Sequence, residues 1–277
     1  MQSNNPVLTR YEKTDKSGFA YDEGVNAYAQ AAAGGAGATD VNTAFQQVTA
    51  AGGARLTIND VIVKTFMVFA VVVVFAVVGW NTVETMPWVM WVSLVIGLVL
   101  GFVNALKKTP SPILVLLYAV FEGVFLGGIS NWYNTLALSN DYEGIVLQAV
   151  IATMTTFGVM LALYLTGVIK VTKKFQSILL VAAVSYLLIG MASLVAALFG
   201  VGGGWGFYGI DGLGLIICVL GVLIASFFLL LDFEAISQGI KMGAPERESW
   251  RMAFGLLVTL IWIYLEFLRL IAIFSRN

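Results

Sequence analysis

Seven apolar stretches, each of about twenty residues or more, follow a polar N-terminal segment. This length matches the hydrocarbon thickness of a bilayer, which an α-helix crosses with about 20 residues. Strands of a membrane barrel are excluded, because the stretches are about twice too long for them and lack a period of two. The chain is therefore predicted to be an all-α integral membrane protein with seven transmembrane helices. The predicted spans are residues 61–80, 86–106, 113–132, 145–169, 177–201, 213–236 and 252–274.

Composition excludes several classes of protein. Hydrophobic residues make up 59% of the chain and charged residues 11%, whereas a soluble domain carries about 25% charged residues. The net charge of -1 and the lack of a long Lys/Arg run argue against a nucleic-acid partner. With one cysteine, Cys218, and no histidine, neither a disulfide framework nor a cysteine metal cluster is available. We expect no cofactor.

The segment before the first apolar stretch differs sharply from the rest. Residues 1–56 are rich in Gly, Ala, Ser, Asn and Gln and include the run AQAAAGGAGATD at 29–40. Such a segment cannot bury enough apolar surface to fold, so we expect a disordered tail. Residues 57–277 then form the seven-helix transmembrane domain, with Asn59 and Asp60 as plausible residues at the start of its first helix.

Loop charges predict the orientation of the chain. The positive-inside rule places loops rich in Lys and Arg in the cytoplasm. In the loops on the other side, all the charged residues are acidic. We therefore expect a multi-pass protein of the cell membrane, with a cytoplasmic tail and, after seven spans, an extracytoplasmic C-terminus. The basic loop residues are Lys107, Lys108, Lys170, Lys173, Lys174, Lys241, Arg247 and Arg251, and the acidic loop residues are Glu84, Asp141, Glu143 and Asp211.

Two pairs of glycines have the spacing of close helix contacts. Gly97 and Gly101 in the second span, and Gly123 and Gly127 in the third, each form a GxxxG pattern. Small residues at this spacing let helix backbones approach within a membrane. Each pair is a candidate packing face.

Four ionisable residues, Glu122, Asp232, Glu266 and Arg269, fall inside predicted spans. A charge near the bilayer centre costs at least about 2.5 kcal/mol, so each needs a partner, water or a function. Structural explanations exist for all four. Glu122 can be a protonated side chain bonded to a neighbouring helix, Glu266 and Arg269 can pair on one helix face, and Asp232 can mark the cytoplasmic end of the sixth span.

A functional explanation requires Asp232 and Glu266 to meet. Two adjacent carboxylates in a low dielectric would share a proton near neutral pH. Protonated, the pair could close a gap, and ionised it could open one or bind Ca²⁺ through oxygen. Counting along the spans places Asp232 near the cytoplasm and Glu266 past the midplane, so contact requires shifted boundaries or a displaced seventh helix.

The sequences LLLDFEAI around Asp232 and IYLEFLRL around Glu266 resemble the Bax inhibitor-1/YccA family of membrane proteins. The start NNPVL and the third-span sequence FEGVFLG resemble its actinobacterial-type branch. The resemblance covers most of residues 56–277. It implies seven helices with the last one central and, as in characterised members, a pH-sensitive Ca²⁺ leak controlled by a carboxylate dyad.

Carried over from the family, the dyad is Asp232 and Glu266, which are also the possible Ca²⁺ ligands. Three features depart from the family pattern. The second carboxylate is Glu where many members have Asp, and the stretch from Asp232 to Glu266 is longer than in a well-studied member. The second span also lacks the Arg that serves in that member as a latch to the first Asp. Arg269 is the only nearby candidate for that latch, and three arrangements are open to it: contact with Asp232, a pair with Glu266, or both. Glu122 is a further candidate gating residue.

Three functions compete. The favoured one is a pH-sensitive cation leak through the membrane. The second is an interaction protein without transport, which would modulate a membrane protease or a stress or cell-death response, as some relatives do. The third, an intramembrane aspartyl protease, expects a GxGD-type sequence, and Asp232 instead follows three leucines. We therefore expect no enzymatic activity.

Overall fold

A computed structural model describes residues 54–210 and 212–275, and this part of the chain forms seven long helices. Most of the predicted tail, together with Asp211 and Asn277, lies outside the described residues. Each helix coincides with one predicted span and differs from it by a few residues at its ends. The helices are α1 Ile58–Thr82, α2 Trp88–Leu106, α3 Pro112–Leu138, α4 Ile145–Leu165, α5 Lys173–Leu198, α6 Leu213–Lys241 and α7 Ser249–Phe274.

All seven helices are long and apolar enough to cross a membrane. A helix satisfies its backbone hydrogen bonds internally, as a hydrocarbon environment requires. Large apolar side chains point outward in numbers that water would not tolerate. Phe66 on α1 and Leu187 on α5, for example, are 71% and 61% exposed. The outer surface of the bundle is therefore suited to lipid.

The first helix begins one residue after Thr57, whose side chain accepts a hydrogen bond from the backbone of Asp60. The Asp60 carboxylate accepts in return from the Thr57 backbone, which completes a capping box. The residue that caps the helix is therefore Thr57, two to three residues before the predicted start residues Asn59 and Asp60. Asp60 contributes as the third helical residue, because the cap needs the short hydroxyl of Thr57 in extended backbone.

The last helix is central, as predicted. α7 packs against α1, α3, α4 and α6, whereas α5 contacts chiefly α6 and the glycine-rich turns before it. The α6–α7 contact is built from fully or nearly fully buried aliphatic side chains, including Leu229 and Ile263. A functional group on α7 therefore lies within the bundle.

Glycines allow α1 and α3 to approach closely. A methyl group at Gly127 of α3 would overlap the backbone of Ala76, and one at Gly123 would press on Val72. Gly79 on α1 meets the backbone of Val124 in the same way. The predicted packing face at Gly123 and Gly127 is thereby confirmed.

The second pair, Gly97 and Gly101, lies on the face of α2 that packs against α3. A methyl group at Gly97 would lie 2.8 Å from Glu122 Oε2, and one at Gly101 would lie 3.4 Å from the Tyr118 ring. Gly97 therefore makes room for the buried carboxyl group of α3. The predicted α2 packing face is confirmed as well.

Basic loops meet at one end of the bundle. Arg251 at the start of α7 donates hydrogen bonds to the backbone carbonyls of Lys107 and Lys108 in the α2–α3 loop. Lys64 of α1 pairs with Glu246 in the α6–α7 loop at 2.7 Å. Close by, the backbone N–H of Leu56 donates to Ala244 O at 2.8 Å. We call this the basic end.

Glycine-rich turns close the opposite end between α5 and α6. Trp205 lies between two short 3₁₀ turns, Val201–Gly204 and Gly206–Gly209, and Tyr208 lies in the second turn. Gly206 has φ +62° and lies against the backbone of Ser193, a conformation and a fit that suit glycine alone. Trp205 stacks on Trp132 of α3 with ring centroids 5.1 Å apart. The turns therefore hold their aromatic side chains over the end of α7.

Candidate functional site

The α6–α7 interface holds two carboxylates with different partners. Asp232 of α6 is partly buried, and its Oδ2 accepts a 2.7 Å hydrogen bond from Thr259 Oγ1 of α7. Gly255, one turn earlier on α7, leaves space for the carboxylate, since a methyl group there would lie 3.4 Å from Asp232 Oδ1. Asp232 forms no ion pair with a described residue. It is an acid in an apolar setting whose described partner is one hydroxyl donor.

Glu266 of α7 is more deeply placed, with 3% of its surface exposed. Its Oε1 accepts from Trp262 Nε1 at 3.1 Å, and its Oε2 pairs with Arg269 Nη1 at 3.2 Å. Gly221 of α6 lies directly against it, because a methyl group at that position would be 2.8 Å from Glu266 Cδ. Both carboxylate oxygens therefore have a donor from the same helix.

Arg269 pairs with Glu266, lies over the ring of Tyr208 and donates a hydrogen bond to the hydroxyl of Tyr133 on α3. Its guanidinium carbon lies 4.4 Å from the centroid of that ring, within the range of a cation–π interaction. The Tyr208 hydroxyl in turn donates to Tyr186 of α5 at 3.2 Å. Of the arrangements open to Arg269, the described residues show the pair with Glu266 and no contact with Asp232.

Asp232 and Glu266 do not meet. The two helices run antiparallel and place Asp232 beside Thr259 but Glu266 beside Gly221. On α7, Glu266 lies seven positions beyond Thr259, a rise of about 10 Å. On α6, Gly221 lies eleven positions before Asp232, about 16 Å. The depth difference counted from the sequence therefore persists in the fold.

This separation corrects the expectation of a directly coupled pair. Two ligands of one Ca²⁺ must each lie about 2.3 to 2.6 Å from the ion, which a gap of about 10 Å forbids. Nor do the described residues contain a group of three His, Cys, Asp or Glu side chains that could hold a metal. In this arrangement Asp232 and Glu266 share neither a proton nor an ion.

An apolar stretch fills the interface between the two acidic levels. Ala225 and Leu229 of α6, with Leu260 and Ile263 of α7, are all buried and belong to one hydrophobic cluster. We call these four side chains the apolar seal. The polar Ser226 beside it bonds to its own helix at Val222 O, 2.6 Å away. The interface therefore alternates between an acidic level, a dry level and a second acidic level.

Glu122 lies elsewhere, between α2 and α3. Its side chain is buried and fills the space beside Gly97. It forms no hydrogen bond or ion pair with the residues described in 54–210 and 212–275. The structure therefore does not bring it together with Asp232, Glu266 or Arg269. It remains a separate membrane carboxyl group.

Several residues of the site were not predicted from the sequence. Trp262 is four positions before Glu266, a spacing that puts both side chains on the same helix face. The hydrogen bond between them could therefore have been predicted from the sequence. Thr259 is one of few polar residues in α7 and lies seven positions before Glu266, also on that face. Tyr208, Tyr186 and Gly221 reach the site from other elements, and no local pattern marks them.

Seven membrane-length helices with carboxyl groups buried among them define a multi-pass α-helical membrane protein in contact with the lipid bilayer. The chain belongs to the Bax inhibitor 1 like family, whose sequence model matches residues 5–276. A search of curated proteins finds no match. The family predicted from the motifs around Asp232 and Glu266 is thus confirmed, while the branch within it stays a prediction.

Proposed function

We propose that the protein is a pH-sensitive cation leak, with Ca²⁺ among the ions passed, and that it acts without enzymatic turnover or a bound cofactor. The supporting observation is the order of groups along the α6–α7 interface. Asp232 and Glu266 lie on either side of the apolar seal, within helices that cross the membrane. A cation on this route would meet one carboxylate, a dry constriction and a second carboxylate.

The two carboxylates have unequal roles in this proposal. Glu266 is neutralised by Arg269, so its level carries little net charge. Asp232 accepts a hydrogen bond from the Thr259 hydroxyl and forms no ion pair with a described cation. Its ionisation therefore changes the net charge of the interface, and it is the group that we propose to set the pH response.

Gating follows from the cost of an uncompensated charge in an apolar setting. Ionised Asp232 is stabilised by water, so its ionisation favours hydration of the adjoining seal and separation of α6 from α7. Protonated Asp232 carries no charge, and the seal closes by apolar packing. Flux should therefore rise as pH rises, since the ionised form is the conducting one.

Flux from liposomes that contain only this protein tests the proposal. Release of Ca²⁺ and K⁺ is recorded between about pH 5 and 8, the range in which buried carboxyl groups titrate. Protein-dependent flux that rises with pH supports the leak. Liposomes that stay tight at every pH, with folded protein inserted, contradict it and favour the interaction protein, which needs a partner.

A further inference from the structure

A lateral groove opens between α1 and α4, with α3 and α7 as its floor. Its volume is about 360 Å³, and its walls are apolar, formed by residues such as Val73 and Val77 of α1 and Val150 and Met154 of α4. These side chains are partly exposed in the bundle. Because the walls belong to helices that cross the membrane, the groove opens onto hydrocarbon and not onto water.

The hydroxyl groups that line the groove already have hydrogen-bond partners within the protein. Ser130 Oγ and the Tyr264 hydroxyl lie 2.6 Å apart in a hydrogen bond, and Thr153 Oγ1 donates to Ala149 O of its own helix. None of these hydroxyls therefore calls for a polar ligand. The occupant that suits the floor and walls is a hydrocarbon chain.

The groove runs along one leaflet. On α1 its lining extends from Phe69 to Asn81, twelve positions or about 18 Å, which compares with about 15 Å for half of the hydrocarbon core. Its outer end holds the polar Asn81 and Trp80, and Trp favours the membrane–water interface. That end lies opposite the basic end, because α1 finishes and α4 begins there.

Charge at the outer end selects the headgroup. Asn131 Nδ2 donates to both Trp80 O and Glu84 Oε1, which places the exposed Glu84 carboxylate at the mouth of the groove. The adjoining loops, residues 83–87 and 139–144, contain three acidic residues and neither Lys nor Arg. Farther along α7, the cation Arg269 is paired with Glu266. An amine headgroup complements this rim, and an anionic headgroup does not.

We propose that the lateral groove binds one acyl chain of a zwitterionic phospholipid, with its amine at Glu84, in the leaflet opposite the basic end. Lipid must pack against any membrane-facing surface, so the proposal makes two claims that go beyond ordinary lipid contact. The chain occupies the groove in preference to the neighbouring helix faces, and the headgroup is an ethanolamine and not a glycerol. The proposal rests on the shape and charge of the groove and is independent of the leak.

Photo-crosslinking of lipid to the full chain tests the acyl-chain site. The protein is reconstituted in vesicles of equal parts phosphatidylethanolamine and phosphatidylglycerol, with a trace of either lipid carrying a photoreactive acyl chain. Adducts are located by peptide mass spectrometry. We expect them at Val73 and Val150 in clear excess over the adjacent residues Val74 and Ile151, which are more exposed but outside the groove. Equal adduct yields at all four positions would mean ordinary lipid solvation and would overturn the proposal.

Matched substitutions sharpen the result. Val150→Trp fills the groove and should remove the adduct at Val73, whereas Ile151→Trp adds the same bulk on the lipid face and should not. If Val150→Trp fails to fold, Val73→Phe with its control Val74→Phe asks the same question through adducts on α4. A filled groove that still yields the wild-type adduct pattern contradicts the site. Folded, inserted wild-type protein that yields no lipid adduct at Val73 or Val150 would show that lipid does not occupy the groove, and would also contradict it.

Glu84→Gln tests the headgroup separately. The side-chain amide keeps a carbonyl oxygen for Asn131 but removes the charge, so the acyl-chain adducts should persist. The ethanolamine probe should label the groove roughly fivefold more than the glycerol probe in the wild type, the effect of one charge contact at a membrane surface. In the variant we expect this ratio to fall toward one. A wild-type ratio of one, or a ratio unchanged by Glu84→Gln, refutes the amine contact.

Discussion

Thr259 on α7 donates its hydroxyl proton to Asp232 on α6 across 2.7 Å, and this is the polar link between the two helices at the level of that carboxylate. A hydrogen bond to a charged group contributes about 1.5 kcal/mol or more, which equals about one pH unit. Thr259→Val should therefore move the midpoint of the flux–pH curve about one unit upward, because ionised Asp232 loses its donor.

Thr65→Val is the matched control for that measurement. The Thr65 hydroxyl is buried on α1 and has no hydrogen-bond partner among the described residues. Its removal should leave the flux midpoint in place. Equal midpoint shifts in both variants would trace the effect to helix packing and not to Asp232.

Replacement of Asp232 by Asn should flatten the pH dependence of flux in liposomes, since the amide cannot ionise. Glu234→Gln provides a control two positions away, where the carboxylate accepts hydrogen bonds from Tyr164 and Gln238. That variant should keep the wild-type curve. A folded Asp232→Asn protein with an unchanged pH profile would remove Asp232 from the mechanism and make Glu122 the next residue to test.

The Glu266–Arg269 pair should behave as a unit in thermal unfolding. Arg269→Gln leaves a buried carboxylate with only the Trp262 indole as donor. We expect a loss on the order of 2 kcal/mol, reduced from that of a fully buried pair because the Arg269 side chain is partly exposed. Adding Glu266→Gln should restore part of the loss, since the uncompensated charge disappears. Losses that simply add in the double variant would show that the two side chains are not coupled.

The close approach of α1 and α3 makes Gly127 intolerant of a methyl group. Gly127→Ala places that group on the backbone of Ala76 and should lower thermal stability in detergent by several degrees or prevent insertion. Gly158→Ala on α4 is the control, because nothing lies within 4 Å of the added atom. It should be neutral or stabilise by up to about 1 kcal/mol, the helix propensity difference. Comparable damage in both variants would argue against the α1–α3 contact.

Reporter fusions test the orientation, which follows from loop charge. Fusions at residue 50 and in the loops that carry Lys107, Lys173 and Arg247 should all report the cytoplasm, and a fusion after Asn277 should report the outside. A truncated chain that begins after residue 50 should insert equally well, because the tail composition cannot support a folded domain. An external signal from the Lys173 loop would reverse the assigned topology.

The helices were predictable, and their register was not. Spans such as residues 213–236 follow from apolar length, a local property that the bilayer enforces. The pairing of Asp232 with Thr259 depends on how α6 slides along α7, which no stretch of sequence encodes by itself. Trp262 and Arg269 were accessible, because helical spacing places both beside Glu266. The lateral groove arises from the distance between α1 and α4, so it became visible only in the folded bundle.

The length and sparse packing of α5 make its position sensitive to the thickness of the membrane. Its 26 residues span about 39 Å, against about 30 Å of hydrocarbon, so the helix is long enough to cross the membrane at a range of tilt angles. Only a few of its side chains are buried in the bundle, and one of them, Tyr186, lies over Gly221 beside Glu266. We therefore expect a thicker or thinner bilayer to change the tilt of α5 at little packing cost and, through Tyr186, the surroundings of Glu266.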